Sequence, residues 1–131
     1  MDSSDIKIIV VDDEHVVNAN LVAFLEDEGF KVFAATSGEE ALGLMAKQAI
    51  DIGIIDMRLP GMDGNTLILK AHEMQAGMKF LIHTGSTNYV LPQSLIKIGM
   101  SPEQVFRKPL SDLTVLTRMI NKVLFGDKIN D

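Results

Sequence analysis

The chain of 131 residues is long enough for one domain with a hydrophobic core and too short for two. A net charge of −6 argues against binding to nucleic-acid phosphates or anionic lipid, and the absence of cysteine excludes disulfides and thiolate metal sites. Residues 1–5 are acidic and polar, unlike a signal peptide, and no apolar run reaches membrane-spanning length, so we expect a cytoplasmic protein that binds no membrane.

Apolar runs alternate with segments of helical spacing, and they predict five strands that are each followed by a helix. The first strand, 6–11, is nearly continuous in β-branched residues, which is typical of a strand buried on both faces. This repetition of strand and helix favours a doubly wound α/β fold, a parallel sheet with helices on both faces. The other predicted strands are 30–35, 52–56, 80–84 and 105–107.

Capping residues indicate where the helices begin. Ser37, with Glu40 three residues later, predicts a capping box at the second helix. Pro92 suits the first position of a weaker fourth helix, and Ser111 is expected to cap the last helix. Residues 126–131 are polar and are expected to form a tail.

Polar side chains follow four of the predicted strands at the point where each strand ends. Asp12 and Asp13 come after the first strand, Asp56 ends the third, Thr84 ends the fourth and Lys108 follows the fifth. Ligands of doubly wound sheets bind beyond the carboxyl ends of the strands. We therefore expect these five side chains to meet at one edge of the sheet.

The residue types at that edge indicate phosphoryl chemistry with a metal ion. Aspartates 12, 13 and 56 offer the hard oxygen ligands that suit Mg²⁺, and a carboxylate can also attack phosphorus. A metal would screen the repulsion between the carboxylate and the incoming phosphoryl group. Lys108 supplies a positive charge for a phosphoryl oxygen, and Thr84 supplies a hydroxyl donor.

With these residues in place, the chain resembles a receiver domain of bacterial two-component response regulators, the fold of the chemotaxis response regulator. The resemblance covers about residues 5–125 and leaves 126–131 as the tail. It implies a flavodoxin-like (βα)5 sheet of strand order 2-1-3-4-5. The motifs that carry it are Val10-Val11-Asp12-Asp13-Glu14, Asp56-Met57-Arg58-Leu59-Pro60-Gly61-Met62-Asp63-Gly64, Thr84-Gly85 and Lys108-Pro109.

The resemblance also implies a metal site and a phosphoacceptor. Asp56 would take the phosphoryl group, from phosphohistidine or from a small phosphodonor. Asp13 and Asp56 would bind Mg²⁺ directly and Asp12 mainly through water, with the backbone carbonyl of Arg58 as a further ligand. The chain would be an enzyme only in catalysing its own phosphorylation and dephosphorylation.

Further roles follow from the same resemblance. Thr84 would be the switch hydroxyl, and Lys108 would pair with the phosphoryl group, with a cis bond between Lys108 and Pro109. The partners would be a sensor histidine kinase or histidine phosphotransfer protein and a downstream output domain or protein. No DNA-binding helix-turn-helix fits in the residues left over, so we expect no direct nucleic-acid binding by this chain.

One position departs from the family pattern. An aromatic residue usually stands three positions before the lysine and rotates inward when the threonine moves, whereas this chain has Val105 there and Phe106 one place later. The segment from Thr84 to Lys108 is also slightly long and contains prolines. We therefore expect this face to signal by a variant route.

Simpler interpretations and other functions stay open at this stage. Asp12 and Asp13 also suit a helix N-terminus, and His83, inside an apolar strand, is interpreted as a hydrogen-bonded core residue. An alternative function is a receiver-like scaffold that is never phosphorylated. A phosphohydrolase with an aspartyl intermediate would need a second acid where Arg58 stands, and a flavin module would need a hydroxyl-rich phosphate loop after the first strand.

Overall fold

The computed structural model describes residues 3–126, so the predicted tail beyond Gly126 lies outside the described residues. Within them, no helix combines the length and the apolar character that crossing a bilayer requires. The strands are β1 Lys7–Val11, β2 Lys31–Ala35, β3 Ile52–Ile55, β4 Lys79–Thr84 and β5 Val105–Arg107. The helices are α1 His15–Asp27, α2 Gly38–Met45, α3 Gly64–Met74, α4 Gln93–Lys97 and α5 Thr114–Phe125, with 3-10 turns at Ser3–Asp5 and Pro102–Gln104.

The five strands form one parallel sheet in the order β2-β1-β3-β4-β5, which confirms the predicted fold. Val11 at the end of β1 lies opposite Ala35 of β2 and Ile55 of β3. At the other margin, Thr84 of β4 lies opposite Arg107 of β5. The register thus brings the residues that follow these strands to the same edge of the sheet.

Two apolar layers cover the sheet because the side chains of its inner strands alternate between the faces. Ile9 and Val11 of β1 belong to the layer under α2, α3 and α4, whereas Ile8 and Val10 belong to the layer under α1 and α5. All four are fully buried, as the β-branched sequence of this strand predicts. The core is therefore one sheet with a helical layer on each side.

The observed starts of the helices agree only in part with those predicted from the sequence. Ser37 accepts a hydrogen bond from the Glu40 amide at the start of α2, as predicted. Pro92 is the residue before α4 rather than its first residue. The prediction for Ser111 is wrong, because the carboxylate of Asp112 accepts the Thr114 amide instead, at 3.0 Å. Aspartate caps as well as serine does, so sequence alone could not separate these neighbouring positions.

Two glutamines fix the connections of the sheet through side-chain bonds to distant backbone groups. Gln75, after α3, donates to the carbonyls of Met45 and Gln48 and accepts the amide of Ile50. Gln104 donates to the carbonyl of Phe80 at 2.8 Å. These bonds satisfy buried backbone groups at the approach to β3 and beside β4, so they help set the strands that carry the site.

Candidate functional site

The three predicted acids meet beyond β1 and β3. One carboxylate oxygen from each of Asp12, Asp13 and Asp56 lies within 4.8 Å of the others. Asp12 and Asp56 are only 2% and 3% exposed, whereas Asp13 is exposed to solvent. Two buried carboxylates and one exposed one thus form a cluster of hard oxygen donors that is open on one side.

The first turn of α1 holds Asp12 in place. The amide of Glu14 donates to Oδ1 of Asp12 at 2.9 Å. The side-chain amide of Asn18 donates to the carbonyls of Asp12 and Ala35, at 3.0 and 2.9 Å. Asn18 is not among the predicted site residues, although it lies three residues before the buried Leu21 on the apolar stripe of α1. A polar residue on the apolar stripe of a helix is the sequence signal that could have revealed it, because such a residue needs hydrogen-bond partners when buried.

Lys108 brings a positive charge into the cluster from the end of β5. Its Nζ lies 2.9 Å from Oδ2 of Asp12, 3.2 Å from Oδ2 of Asp56 and 3.0 Å from Oε1 of Glu14. Burial lowers the pKa of Lys108, but the carboxylates of Asp12, Glu14 and Asp56 outweigh it and hold that pKa above its ordinary value. The amine is therefore charged at neutral pH. The pairing with Glu14, which is largely exposed, was not foreseen from the sequence.

The electrostatic balance of the cluster favours a further cation. Burial and the charge of Asp12 raise the pKa of Asp56, and Lys108 offsets them only in part. Oδ2 of Asp12 is buried, and its contact is the ion pair with Lys108 at 2.9 Å. Three carboxylates that share one ammonium group form a donor set of hard oxygens that fits a divalent metal ion.

Asp56 lies at the start of the loop that joins β3 to α3. The amide of Gly64 donates to the carbonyl of Met57 at 3.0 Å and closes this loop. A Cβ on Gly64 would collide with the carbonyl oxygen of Asp56 and with Met57, so only glycine fits there. Asp63 then caps α3 by accepting the amide of Thr66. The arrangement explains why Asp63-Gly64 follows the acid at this distance.

Thr84 and Lys108 come together because β4 and β5 pair up to their ends. The Lys108 amide donates to the Thr84 carbonyl at 2.8 Å, and the Lys108–Pro109 bond is cis, as expected. The Thr84 side chain is fully buried, and its Oγ1 accepts the amide of Ser86 at 3.1 Å. The structure thus places the hydroxyl and the amine on neighbouring strands at the predicted edge.

The histidines do not join the acids as ligands. His83 is 4% exposed, which confirms its predicted place in the core. The predicted hydrogen bond is wrong, because neither ring nitrogen has a partner in the described part of the chain. Burial first, and the charge of Lys108 second, lower the pKa of His83, so the ring is neutral at neutral pH. It lines a cavity of about 420 Å³ between α1 and the β5–α5 connection. His15 is exposed to solvent.

Comparison with known proteins agrees with this geometry. The family model for the response regulator receiver domain matches residues 8–121. Sporulation initiation phosphotransferase F of Bacillus subtilis is 27% identical over 118 residues, which are 90% of this chain and 93% of that protein. The chain spans about half the length of other curated relatives that it matches, such as the response regulator SaeR of Staphylococcus epidermidis.

Solved structures show the same fold. A CheY-like receiver domain protein from Methanospirillum hungatei superposes with a TM-score of 0.79 at 27% identity, covering 95% of this chain and 98% of that one. The response regulator TrrA of Thermotoga maritima, in complex with Mg(2+)-BeF, gives a TM-score of 0.77 at 24% identity and covers 90% of this chain and 98% of its own. Family model, fold and acid cluster agree, and the chain belongs to the response regulator receiver domain family.

Proposed function

We propose that Asp56 is the phosphoacceptor of this receiver domain and that the domain spans residues 5–125. The observation that carries the proposal is a buried carboxylate flanked by two further acids, with an ammonium group 3.2 Å away. The proposed donor is a sensor histidine kinase or a histidine phosphotransfer protein, and the proposed location is the cytoplasm. A downstream domain or protein reads the modified state.

The transfer is a displacement at phosphorus. An oxygen of Asp56 attacks the phosphoryl group, a carboxylate–phosphorus bond forms, and the bond from phosphorus to the donor histidine nitrogen breaks. The electron pair stays on that nitrogen, and because the other ring nitrogen carries a proton, the donor leaves as a neutral imidazole.

The metal ligands would be the side chains of Asp12, Asp13 and Asp56 with the backbone carbonyl of Arg58. Mg²⁺ is the ion we propose, because the donors are all oxygen and the exposed Asp13 leaves room for the waters that this ion retains. When bound, the ion neutralises the acids and screens the incoming phosphoryl oxygens. Asp12, held by the Glu14 amide and by Asn18, fixes the donor set before the ion arrives.

Lys108 and Thr84 act on the phosphoryl oxygens. Lys108 exchanges its contact with the Asp56 carboxylate for one with a phosphoryl oxygen, because the phosphorylated side chain carries more negative charge than the free carboxylate. The Thr84 hydroxyl turns to donate to a phosphoryl oxygen, which withdraws the acceptor from the Ser86 amide. Phosphorylation thereby disturbs the segment that follows β4.

A receiver-like scaffold that is never phosphorylated is the second candidate. Val105, half-buried where the family usually has an aromatic residue, is the observation that favours it. The assembled Asp12, Asp56 and Lys108 oppose it, because a scaffold gains nothing from gathering buried acids.

Treatment with acetyl phosphate or phosphorylated donor protein, with and without Mg²⁺, separates the two candidates. Intact mass should show one added phosphoryl group only when the ion is present. Asp56→Asn should abolish the adduct, and the matched control Asp51→Asn, at the opposite edge of the sheet, should retain it. An adduct that survives in Asp56→Asn, or no adduct in the wild type with either donor, would overturn the assignment.

A further inference from the structure

A single guanidinium holds the segment between β4 and α4. Nη1 of Arg107 donates to the carbonyl of Ser86, and Nη2 donates to the carbonyl of Tyr89, both at 2.9 Å. The amide of Ser86 in turn donates to Oγ1 of Thr84 at 3.1 Å. Ser86 therefore contacts the Thr84 hydroxyl through its amide and Arg107 of β5 through its carbonyl.

The same segment reaches α3 through a tyrosine. The hydroxyl of Tyr89 donates to Oδ1 of Asn65 at 2.7 Å. Asn65 is the second residue of α3 and directly follows Gly64, which closes the loop that begins at Asp56. The Tyr89 hydroxyl is partly buried, and burial together with the charge of Asp63 raises its pKa to about 12, so it remains a hydrogen-bond donor at neutral pH.

We propose that Ser86, Tyr89, Arg107 and Asn65, which we name the loop clamp, transmit the position of the Thr84 hydroxyl to the first turn of α3. Arg107 is the positioning residue of this clamp, because it fixes two carbonyls of the segment at once. The inference rests on the proposed function, since phosphorylation at Asp56 is what draws the Thr84 hydroxyl away from Ser86. It assigns the readout to Tyr89 and α3. The half-buried Val105 in β5 cannot provide it, because it has no aromatic ring.

The chemistry of the clamp is specific to these side chains. The planar guanidinium presents two N–H groups in fixed directions and so can hold two carbonyls, whereas a lysine ammonium has no such fork. Tyr89 needs its hydroxyl, because the bond to Asn65 is the contact that links the segment to α3. When the Ser86 amide loses Thr84 as acceptor, the segment shifts, and this bond carries the shift to Asn65.

The clamp can be tested by following the backbone amides of residues 64–67 by NMR while beryllium fluoride and Mg²⁺ are added. The wild type should show shifts of these amides on saturation. Tyr89→Phe should abolish most of that response while it still binds the phosphate mimic. Asn65→Ala removes the same bond from the other side and should give the same loss, and the double variant should lose no more than either alone.

Arg107→Lys tests the positioning role, with Arg118→Lys on the exposed surface of α5 as its matched control. Arg107→Lys should reduce the α3 response and change the lifetime of the phosphorylated form, and Arg118→Lys should change neither. If Arg107 had only a structural role, Arg107→Lys would lower the melting temperature without altering the lifetime of the phosphorylated form.

Two outcomes would refute the clamp. If the mimic binds and Tyr89→Phe responds at residues 64–67 as the wild type does, the clamp is refuted and the phosphoacceptor assignment stands. If the wild type takes up neither mimic nor phosphoryl group, the proposed function fails and the clamp fails with it. Because Tyr89→Phe keeps the ring and removes one oxygen, it tests the clamp even if Arg107→Lys does not fold.

Discussion

Nζ of Lys108 lies 3.2 Å from Oδ2 of Asp56, so the proposed phosphoacceptor is already paired with a cation before any phosphoryl group arrives. The same ammonium also contacts Asp12 and Glu14. One positive charge therefore serves several carboxylates, and the cluster keeps an excess of negative charge. This excess of negative charge should affect the stability of the folded chain in two ways.

Divalent metal should stabilise the folded chain. The acid cluster exists only in the folded state, so binding should raise the free energy of unfolding by about 2.7 kcal/mol when the free ion is at 100 times its Kd. Thermal unfolding in chelator and in a MgCl2 series measures this effect. Asp13→Asn should shrink the gain and Asp27→Asn, exposed at the end of α1, should not. Equal gains in both variants would contradict the site.

Asp56→Asn should stabilise the metal-free protein at neutral pH. Burial and Asp12 raise the pKa of Asp56 despite Lys108, which means that its environment disfavours the charged form. Removing the charge should raise the melting temperature by a few degrees in chelator and remove most of the gain on adding Mg²⁺. A lower melting temperature for Asp56→Asn would show that its pairing with Lys108 outweighs the repulsion.

The two glycines at positions 64 and 43 should respond in opposite ways to replacement by alanine. A Cβ at Gly64 meets the backbone of Asp56 and Met57, so Gly64→Ala should cost roughly 1–3 kcal/mol and slow phosphorylation at Asp56. A Cβ at Gly43, in the exposed face of α2, meets nothing within 4 Å, so Gly43→Ala should stabilise by about 0.5–1 kcal/mol. Denaturant unfolding measures both, and equal effects would refute the clash.

Gln75→Ala should be among the more costly changes outside the apolar core. It removes three hydrogen bonds to Met45, Gln48 and Ile50 and leaves their backbone groups without those partners. We expect a loss of about 1–3 kcal/mol in the free energy of unfolding. Gln93→Ala, on the exposed surface of α4, is the control and should stay within about 0.5 kcal/mol of the wild type.

The ionisation of Tyr89 gives a pH-dependent signature. This tyrosine is the only one in a chain without tryptophan, so its phenolate absorbance can be followed directly. We expect its pKa at about 12 in the folded protein, and lower in Asp63→Asn, because burial and the charge of Asp63 both favour the neutral phenol.

The sign of the accompanying stability change follows from proton linkage. Above the unfolded pKa of about 10, the folded state retains a proton that the unfolded chain has lost. The stabilisation from Tyr89 is therefore fully present below that pH and is lost as the pH rises through the folded pKa. A phenol that titrates at its ordinary value in the folded protein would contradict the burial of its hydroxyl.

The sheet and the site edge could be predicted because their signals are local. The inner strands are continuous apolar runs, and their next residues carry the acids. Parallel pairing then brings Asp12 and Asp56 together without further information. Thr84 and Lys108 follow by the same logic at the other margin.

What could not be predicted depends on side chains that bond to distant backbone groups. The side-chain amide of Asn18 reaches the carbonyl of Ala35, 17 residues away, and Gln75 reaches Gln48 across 27 residues. His83 was expected to find a partner, yet the packing of β4 leaves both of its nitrogens without one in the described part of the chain. Such contacts are set by the packed tertiary structure, and single-residue propensities do not encode them.

Lys108 directly follows β5, which has three residues, is the shortest strand and forms the outer margin of the sheet. The acids that would coordinate metal, by contrast, extend from β1 and β3 in the interior. Fraying of this margin would withdraw the ammonium and leave the carboxylates in place. Metal uptake and retention of the phosphoryl group should therefore be separable properties. Metal uptake should persist as long as β1 and β3 stay folded, whereas retention of the phosphoryl group should be lost when β5 frays.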